Sequence, residues 1–118
     1  MDVVDLAQKF SLFTDHWRPV GELNGQEVKV VKVQGEFPWH LHEAEDELFL
    51  VWRGRFRVEF RDRIVELGPG QFFIVPRGME HRTAADEEAE VVIFEPREVR
   101  NTGNVVDETF TAPMGVKI

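Results

Sequence analysis

The sequence contains no cysteine and no tyrosine among its 118 residues. Without cysteine the protein has no disulfide framework, no thiolate metal site and no cysteine nucleophile. It also has no apolar run approaching the roughly 20 residues that cross a bilayer. The N-terminus, residues 1–5, is acidic, whereas a secretory signal begins with basic residues. We therefore expect a cytoplasmic protein that does not interact with membranes.

Positive charge is also scarce, because 14 Lys and Arg residues face 22 Asp and Glu residues, which gives a net charge of −8. An acidic protein repels phosphate backbones, so we expect no nucleic-acid partner. The local exception is an arginine cluster formed by Arg53, Arg55, Arg57, Arg61 and Arg63. It is either a solvated sheet face or a site for an anion or partner. The alternation of charged and apolar residues between Arg55 and Phe60 favours the solvated face.

Apolar residues make up 42% of the chain, with ten Phe and three Trp, which is enough for one domain with a bulky core. Residues 3–13 carry apolar side chains at helical spacing and predict a short helix or a packed loop. From residue 20 onward, short runs rich in Val, Ile and Phe alternate with turn signals, of which Asn24-Gly25 is a strong hairpin signal. We expect a single domain over residues 1–118.

About eight short strands are predicted, at residues 20–23, 26–33, 47–52, 55–60, 63–67, 71–75, 79–84 and 90–94. This number is typical of a jelly roll or small β-barrel, so the predicted fold class is all-β with a short N-terminal helix at most. The acidic residues 86–88 are expected to separate the last two strands. The tail from Pro96 is expected to be an irregular or swapped arm.

Four residues have the chemistry of a metal site. His40 and His42 are two residues apart, so in a strand both side chains point to the same face. Glu47 opens the next strand, and a hairpin would bring its carboxylate beside the histidines. His81 would come from a strand distant in sequence. Three imidazoles and one carboxylate suit a divalent transition metal, namely Fe, Mn, Ni, Zn, Co or Cu.

Other residues near this pattern have simpler interpretations. Glu43, Glu45 and Asp46 fit a solvated acidic turn, whereas Glu47 is followed by an apolar strand and is the better ligand. His16 belongs to no motif and is interpreted as a surface or packing residue. Glu36 and Glu80 flank the histidines and are as consistent with solvated positions as with acid–base roles. The aromatic residues Phe37, Trp39, Phe49, Phe72 and Phe94 fit either a pocket lining or an ordinary core.

Two segments resemble the paired motifs of the cupin superfamily. The first runs from Gly35 through His40-Leu41-His42 and Glu47 to Gly54, with four residues rather than five between Gly35 and His40. The second runs from Gly70 through Pro76-Arg77-Gly78 to His81, and Ala85 stands where the family often has Asn. The resemblance implies a cupin barrel (a double-stranded β-helix or jelly roll) over about residues 20–95 between N- and C-terminal arms, with His40, His42, Glu47 and His81 as metal ligands.

The resemblance also implies functions that range from dioxygenases and isomerases to binding proteins. Four ligands leave two positions open on a six-coordinate metal for dioxygen, water or a small-molecule substrate. The aromatic interior favours dioxygenase-type chemistry, with Glu47 as a catalytic base; the alternatives are a non-catalytic binding or sensor module and a cupin isomerase or epimerase. The sequence offers no second constellation of nucleophile and base. We expect a homodimer, because Leu48, Leu50 and Trp52 would face outward if Glu47 faces inward.

Overall fold

The computed structural model describes residues 2–97 and 117–118. The chain forms a helix, α1 (Leu6–Phe10), followed by the strands β1 (Trp17–Leu23), β2 (Gln26–Glu36), β3 (Glu47–Arg53), β4 (Phe56–Glu59), β5 (Ile64–Leu67), β6 (Phe72–Val75) and β7 (Arg82–Pro96). The prediction of an all-β fold with one short N-terminal helix is confirmed. The predicted C-terminal arm falls largely in residues 98–116, outside the described part. Across the described residues, no helix is long and apolar enough to span a bilayer.

The strands form one antiparallel sheet in the order β1-β2-β7-β3-β6. The hairpin of β4 and β5 joins this sheet through the first residues of β7, where Thr83 lies opposite Val58. The long β7 therefore pairs with β2, β3 and β4 and connects the β4–β5 hairpin to the rest of the sheet. In residues 2–97 these ladders do not close into a complete hydrogen-bonded ring, so the barrel is open.

The prediction of eight strands was wrong at one point, because residues 79–84 and 90–94 do not form two separate strands. A single β7 continues through the acidic segment at 86–88. The register against β2 moves from Val33↔Ala89 to Gly35↔Ala85, so β7 advances four residues while β2 advances two. The surplus residues form a bulge that leaves the acidic side chains exposed without ending the strand. Asp86 there accepts a hydrogen bond from Arg57 at 2.9 Å.

Two clusters of apolar residues lie on the two faces of the sheet. The inner cluster consists of Phe49, Val51, Phe56, Val58, Phe60, Leu67, Val75, Ala85, Ala89 and Val91. The outer cluster consists of Phe10, Phe13, Val20, Val30 and Val92, and Leu50 packs against it. The predicted alternation of β3 is therefore confirmed, since Glu47, Phe49 and Val51 are buried on the inner side. Helix α1 covers part of the outer face through Phe10.

The turn between β3 and β4 requires glycine. Gly54 has a φ of +89°, and a Cβ atom at this position would lie 3.2 Å from the Cα of Ala89. Both the left-handed backbone and the close approach of β7 disfavour any other residue. This glycine is the last residue of the first cupin-like motif. At this position the motif residue is explained by the close packing of β7.

Candidate metal centre

Backbone pairing brings two histidines from distant parts of the chain side by side. His40 N donates to the carbonyl oxygen of His81 at 2.9 Å, and His81 N donates to that of His40 at 2.9 Å. The pairing continues on both sides, where Phe37 N donates to Thr83 O and Gly78 N donates to His42 O, each at 2.8 Å. The segment that carries the two neighbouring histidines is thus fixed against the segment that carries the third.

The structure brings together all four residues predicted from the sequence. His40, His42, Glu47 and His81 are buried, with exposures of 3%, 5%, 4% and 0%, and each offers one ligand atom within 4.8 Å of the others. Glu47 Oε1 lies 3.2 Å from His42 Nε2 and 3.8 Å from His81 Nε2. In the described part of the chain, these three atoms have no hydrogen-bond partner. Buried polar atoms that converge without partners fit a bound cation.

Backbone carbonyl groups orient two of the imidazole rings. His40 Nδ1 lies 2.8 Å from the carbonyl oxygen of Pro38, and His81 Nδ1 lies 2.9 Å from that of Met79. A carbonyl oxygen can only accept, so each Nδ1 carries the proton and donates it. The lone pair of each ring is then on Nε2, the nitrogen that points toward the cluster. Sequence reasoning did not identify these partners.

Burial and neighbouring groups set the protonation states that a metal needs. Burial, with a further contribution from His81, lowers the pKa of His40 from 6.5 to about 4. Burial by itself raises the pKa of Glu47, but the adjacent His42 and His81 outweigh it and hold that pKa well below its usual range. At neutral pH, His40 is therefore a neutral imidazole and Glu47 a carboxylate, which are the forms that bind metals.

A surface ion pair connects the two loops that flank the cluster. Asp46 Oδ1 accepts hydrogen bonds from Arg77 N at 2.8 Å and from Arg77 Nε at 3.2 Å. Those bonds lower the pKa of Asp46. The predicted acidic turn is therefore solvated as expected, except that Asp46 joins it to the Pro76–Gly78 loop.

The remaining candidates lie outside the cluster. Glu36 pairs with Arg82 at 2.9 Å and Glu80 with Arg61 at 2.8 Å, and both acidic side chains are exposed. His16 is partly buried in the wall of a cavity and is not among the clustered residues. In the arginine cluster, Arg53 lies 3.5 Å from Glu90, Arg57 pairs with Glu59 and Asp86, and Arg63 lies over the Phe73 ring. These pairings support the interpretation of a structural, largely solvated face.

A cavity of about 390 Å³ lies beside the cluster, and His40 and Glu47 form part of its wall. This volume is within the range of small-molecule sites. Its apolar wall is formed by Val31, Val33, Phe37, Phe49, Phe56 and Ile93. Of the predicted aromatic lining, Phe37 and Phe49 are therefore present. Trp39 is instead stacked between Arg61 and Arg82, and Phe72 is 60% exposed. Phe94 does not line the cavity either.

Sequence reasoning missed a second set of polar residues in the same cavity. Lys29 and Glu95 are both 2% exposed and form an ion pair of 2.9 Å, and the Lys29 ammonium lies 4.5 Å from the centre of the Trp17 ring. Burial and the nearby Glu47 charge raise the pKa of Glu95 well above its usual value. The only available signal in the sequence was that Lys29 alternates with Val28 and Val30. Because both faces of β2 carry valines, the sequence did not show which face of the strand carries the Lys29 side chain.

Comparisons with known proteins agree with this geometry. The family model for the cupin domain matches residues 27–109. The chain is 31% identical over 87 residues to the uncharacterised protein YdbB of Bacillus subtilis (strain 168). The matched segment covers 64% of this chain and 77% of that protein. The crystal structure of a cupin-2 domain-containing protein from Shewanella frigidimarina superposes with a TM-score of 0.77 and 43% identity, over 80% of this chain and 95% of that one. The structure of KdgF from a Halomonas species superposes with a TM-score of 0.60 and 28% identity, over 70% of this chain and 78% of that one.

Proposed function

Since the chain belongs to the cupin domain family, we propose that His40, His42, Glu47 and His81 bind one divalent transition metal and that the adjacent cavity binds a small organic molecule. The family supports ligand binding in this fold, and the buried His/Glu cluster supports the metal. The donor set suits Fe, Mn, Ni, Zn, Co or Cu.

The observation that carries the proposal is the set of three buried atoms without partners, His42 Nε2, Glu47 Oε1 and His81 Nε2. Leaving a buried polar atom unpaired costs about 1–3 kcal/mol. Three such atoms that face one another would be a considerable cost without a cation. The backbone carbonyl groups also orient the rings of His40 and His81, so that their Nε2 lone pairs are directed toward the metal before it binds.

We favour metal-dependent dioxygenase-type chemistry on the small molecule. When bound, the metal would polarise a substrate oxygen or bind dioxygen. The residues of the chain would bind and orient the metal, and the aromatic wall of Phe37, Phe49 and Phe56 would position the flat, apolar part of a substrate and exclude water. Glu47 is our candidate catalytic residue, because its carboxylate can accept a proton if it leaves the metal. The alternatives are a non-catalytic binding or sensor module and an isomerase or epimerase.

Metal analysis of protein purified without an affinity tag tests the site. We expect about one divalent ion per chain in the wild type and none in the double variant His42→Ala, His81→Ala, because two of the three unpartnered atoms are lost. His16→Ala is the matched control, since it removes a histidine that lies outside the cluster and should leave the metal content unchanged. Stoichiometric metal in the double variant would show that these residues do not form the site. Oxygen-uptake assays with diols, diketones and phenols then test the reaction class.

We further propose that the protein is a cytoplasmic homodimer. The support for the dimer is the apolar outer face of β3 and β6, where Phe72 is 60% exposed and Ile74 is 49% exposed. The absence of cysteine is compatible with a reducing compartment.

A further inference from the structure

A row of polar side chains crosses the inner face of the sheet and ends at the metal centre. Trp17 lies opposite Val31 and Pro19 opposite Lys29, so Trp17 and Lys29 are diagonal neighbours on β1 and β2. Lys29 lies opposite Ile93 on β7, which places Glu95 two residues along on the same face. Phe49 also lies opposite Ile93, so the same two-residue step on β3 brings Glu47 beside Glu95.

The first three members of this row have unused hydrogen-bonding capacity. The Lys29 ammonium has three N–H donors. Among the described residues its one close acceptor is Glu95 Oε1 at 2.9 Å, since Glu27 Oε1 is 3.9 Å away. Trp17 Nε1 and Glu95 Oε2 are buried and have no partner in residues 2–97 and 117–118. All three residues line the 390 Å³ cavity. Buried donors of this kind are normally satisfied, so the cavity requires an acceptor that residues 2–97 and 117–118 do not provide.

The chemistry of these groups defines the acceptor. Lys29 and Trp17 are donors only, so they call for an oxygen rather than an amine or ammonium. The charge of the Lys29 ammonium favours an anionic oxygen group over a neutral one, because a hydrogen bond to an ionised acceptor is the stronger of the two. Apolar side chains form a large part of the remaining wall, namely Val31, Val33, Phe37, Phe49, Phe56 and Ile93, which suits an apolar body attached to that group.

We propose that Lys29 and Trp17 form a carboxylate-binding subsite, so that the ligand of this cavity is a small organic acid with an apolar or aromatic body. Glu95 orients the Lys29 ammonium through the 2.9 Å ion pair. The inference rests on the proposed function in one respect, because the metal would hold the other end of the same ligand. The subsite itself uses no metal ligand and can be tested without the metal.

A purely structural ion pair would explain the burial of Lys29 and Glu95, but it would not explain the unpartnered Trp17 N–H on the same wall. A buried ion pair is in any case weak support for stability, since its desolvation offsets much of the attraction. A structural role would also give the cavity no preference between a carboxylate and a neutral group of the same shape. That preference therefore distinguishes the two roles.

The experiment compares benzoate with its neutral isostere benzamide, by NMR titration of metal-free and metal-loaded protein. We expect metal-free wild type to bind benzoate at least tenfold more tightly than benzamide. The double variant Lys29→Met, Glu95→Gln removes both charges without leaving one unpaired, and it should lose about tenfold or more of that preference. Trp17→Phe keeps an aromatic ring and removes only the N–H donor, so its preference for benzoate over benzamide should fall a few-fold. Lys9→Met is the matched control, because Lys9 lies in α1 and is not among the residues that line the cavity.

Each outcome decides the question. Equal binding of benzoate and benzamide, or no binding of either, by metal-free wild type overturns the subsite. A preference that appears only with metal and persists in the double variant and in Trp17→Phe places the carboxylate on the metal, which overturns the subsite and leaves the proposed metal centre intact. A preference that depends on Lys29 in a protein that binds no metal supports the subsite and contradicts the proposed function. If the double variant fails to fold, as judged by circular dichroism, Trp17→Phe alone gives the decision.

Discussion

At the scale of single residues, the candidate metal centre depends on hydrogen bonds made by groups that are not themselves proposed ligands. The carbonyl groups of Pro38 and Met79 determine which nitrogen of His40 and His81 is free. Each carbonyl belongs to the residue two positions before its histidine, so the local backbone orients its own side chain. Burial and the nearby His81 keep His40 neutral, whereas the adjacent His42 and His81 keep Glu47 charged although its burial opposes this.

Replacing Glu47 separates its charge from its oxygen donor. We expect metal affinity to fall in the order wild type, Glu47→Gln, Glu47→Ala, with Glu47→Gln weakened by more than about tenfold. The amide retains an oxygen but lacks the negative charge that offsets the divalent ion. Asp46→Asn is the matched control, because Asp46 is adjacent in sequence, exposed and paired with Arg77. Competition with a fluorescent chelator measures the affinities, and equal values for wild type and Glu47→Gln would remove Glu47 from the ligand set.

The lowered pKa of His40 makes the stability of the metal-free protein depend on pH. Between pH 6.5 and about 4, the unfolded chain binds a proton on His40 that the folded chain does not. Stability is therefore full above this window and is lost as the pH falls through it. From pH 7 to pH 5 this histidine should reduce the free energy of unfolding by about 1–2 kcal/mol. Urea denaturation in the presence of a chelator measures the change.

His40→Gln provides the control for this pH dependence. The variant lacks the titrating imidazole, so the decrease in stability between pH 7 and pH 5 should be smaller than in wild type. The comparison stays above pH 5 to avoid Glu47, whose lowered pKa contributes a separate loss of stability at more acidic pH. An identical decrease in both proteins would show that His40 titrates normally in the folded state.

At the scale of elements, the fold is organised around β7, which pairs with β2, β3 and β4. The outer face of this region is covered by α1, whose Phe10 is 2% exposed and packs in a cluster with Val20, Val30 and Val92. The helix has five residues, and the side chain of Asp5, the residue before it, accepts a hydrogen bond from Gln8 N and caps its start. A helix this short is not stable alone, so its packing through Phe10 holds it in place.

Truncating Phe10 tests this role of α1. Phe10→Ala should lower the free energy of unfolding by about 3–5 kcal/mol, because it leaves a cavity against the sheet. Leu12→Ala is the matched control, since Leu12 is 54% exposed and should cost less than about 1 kcal/mol. Chemical denaturation measures both, and the metal content of folded Phe10→Ala should equal that of wild type. Similar costs for the two substitutions would show that α1 is not anchored through Phe10.

The sequence predicted the strands and the four clustered residues because both leave local signals. Alternation and Asn24-Gly25 located β1 and β2 to within a few residues, and the spacing of His40, His42 and Glu47 matched a known motif. The continuity of β7 was missed because an acidic triplet reads as a turn, whereas a bulge opposite Val33 and Gly35 accommodates it. The Lys29–Glu95 pair was missed because it depends on the register of β2 against β7, which is not a local property.

At the scale of the whole molecule, an apolar area remains on the outer surface that α1 does not cover. Leu48 lies opposite Ile74 and Leu50 opposite Phe72 across the β3–β6 ladder. Leu50 packs against the outer cluster, whereas Phe72 and Ile74 are 60% and 49% exposed. In the described sheet, β6 is also an edge strand. An exposed apolar strand at a sheet edge is prone to associate with another chain, and pairing with a second copy is the simplest way to bury it.

We therefore predict that the 13.7 kDa chain has twice that mass in solution and that its interface includes the outer face of β6. Phe72→Lys, Ile74→Lys places two charges on this face and should give a monomer by light scattering at micromolar concentration, because an unpaired charge in an interface core is costly. Ile64→Lys is the matched control, since Ile64 is also 60% exposed but lies on β5, and it should remain dimeric. The double variant should keep its metal, since Glu47 and the histidines face inward, and this distinguishes dissociation from unfolding. A monomeric wild type would contradict the dimer, and a dimeric double variant would place the interface on another face.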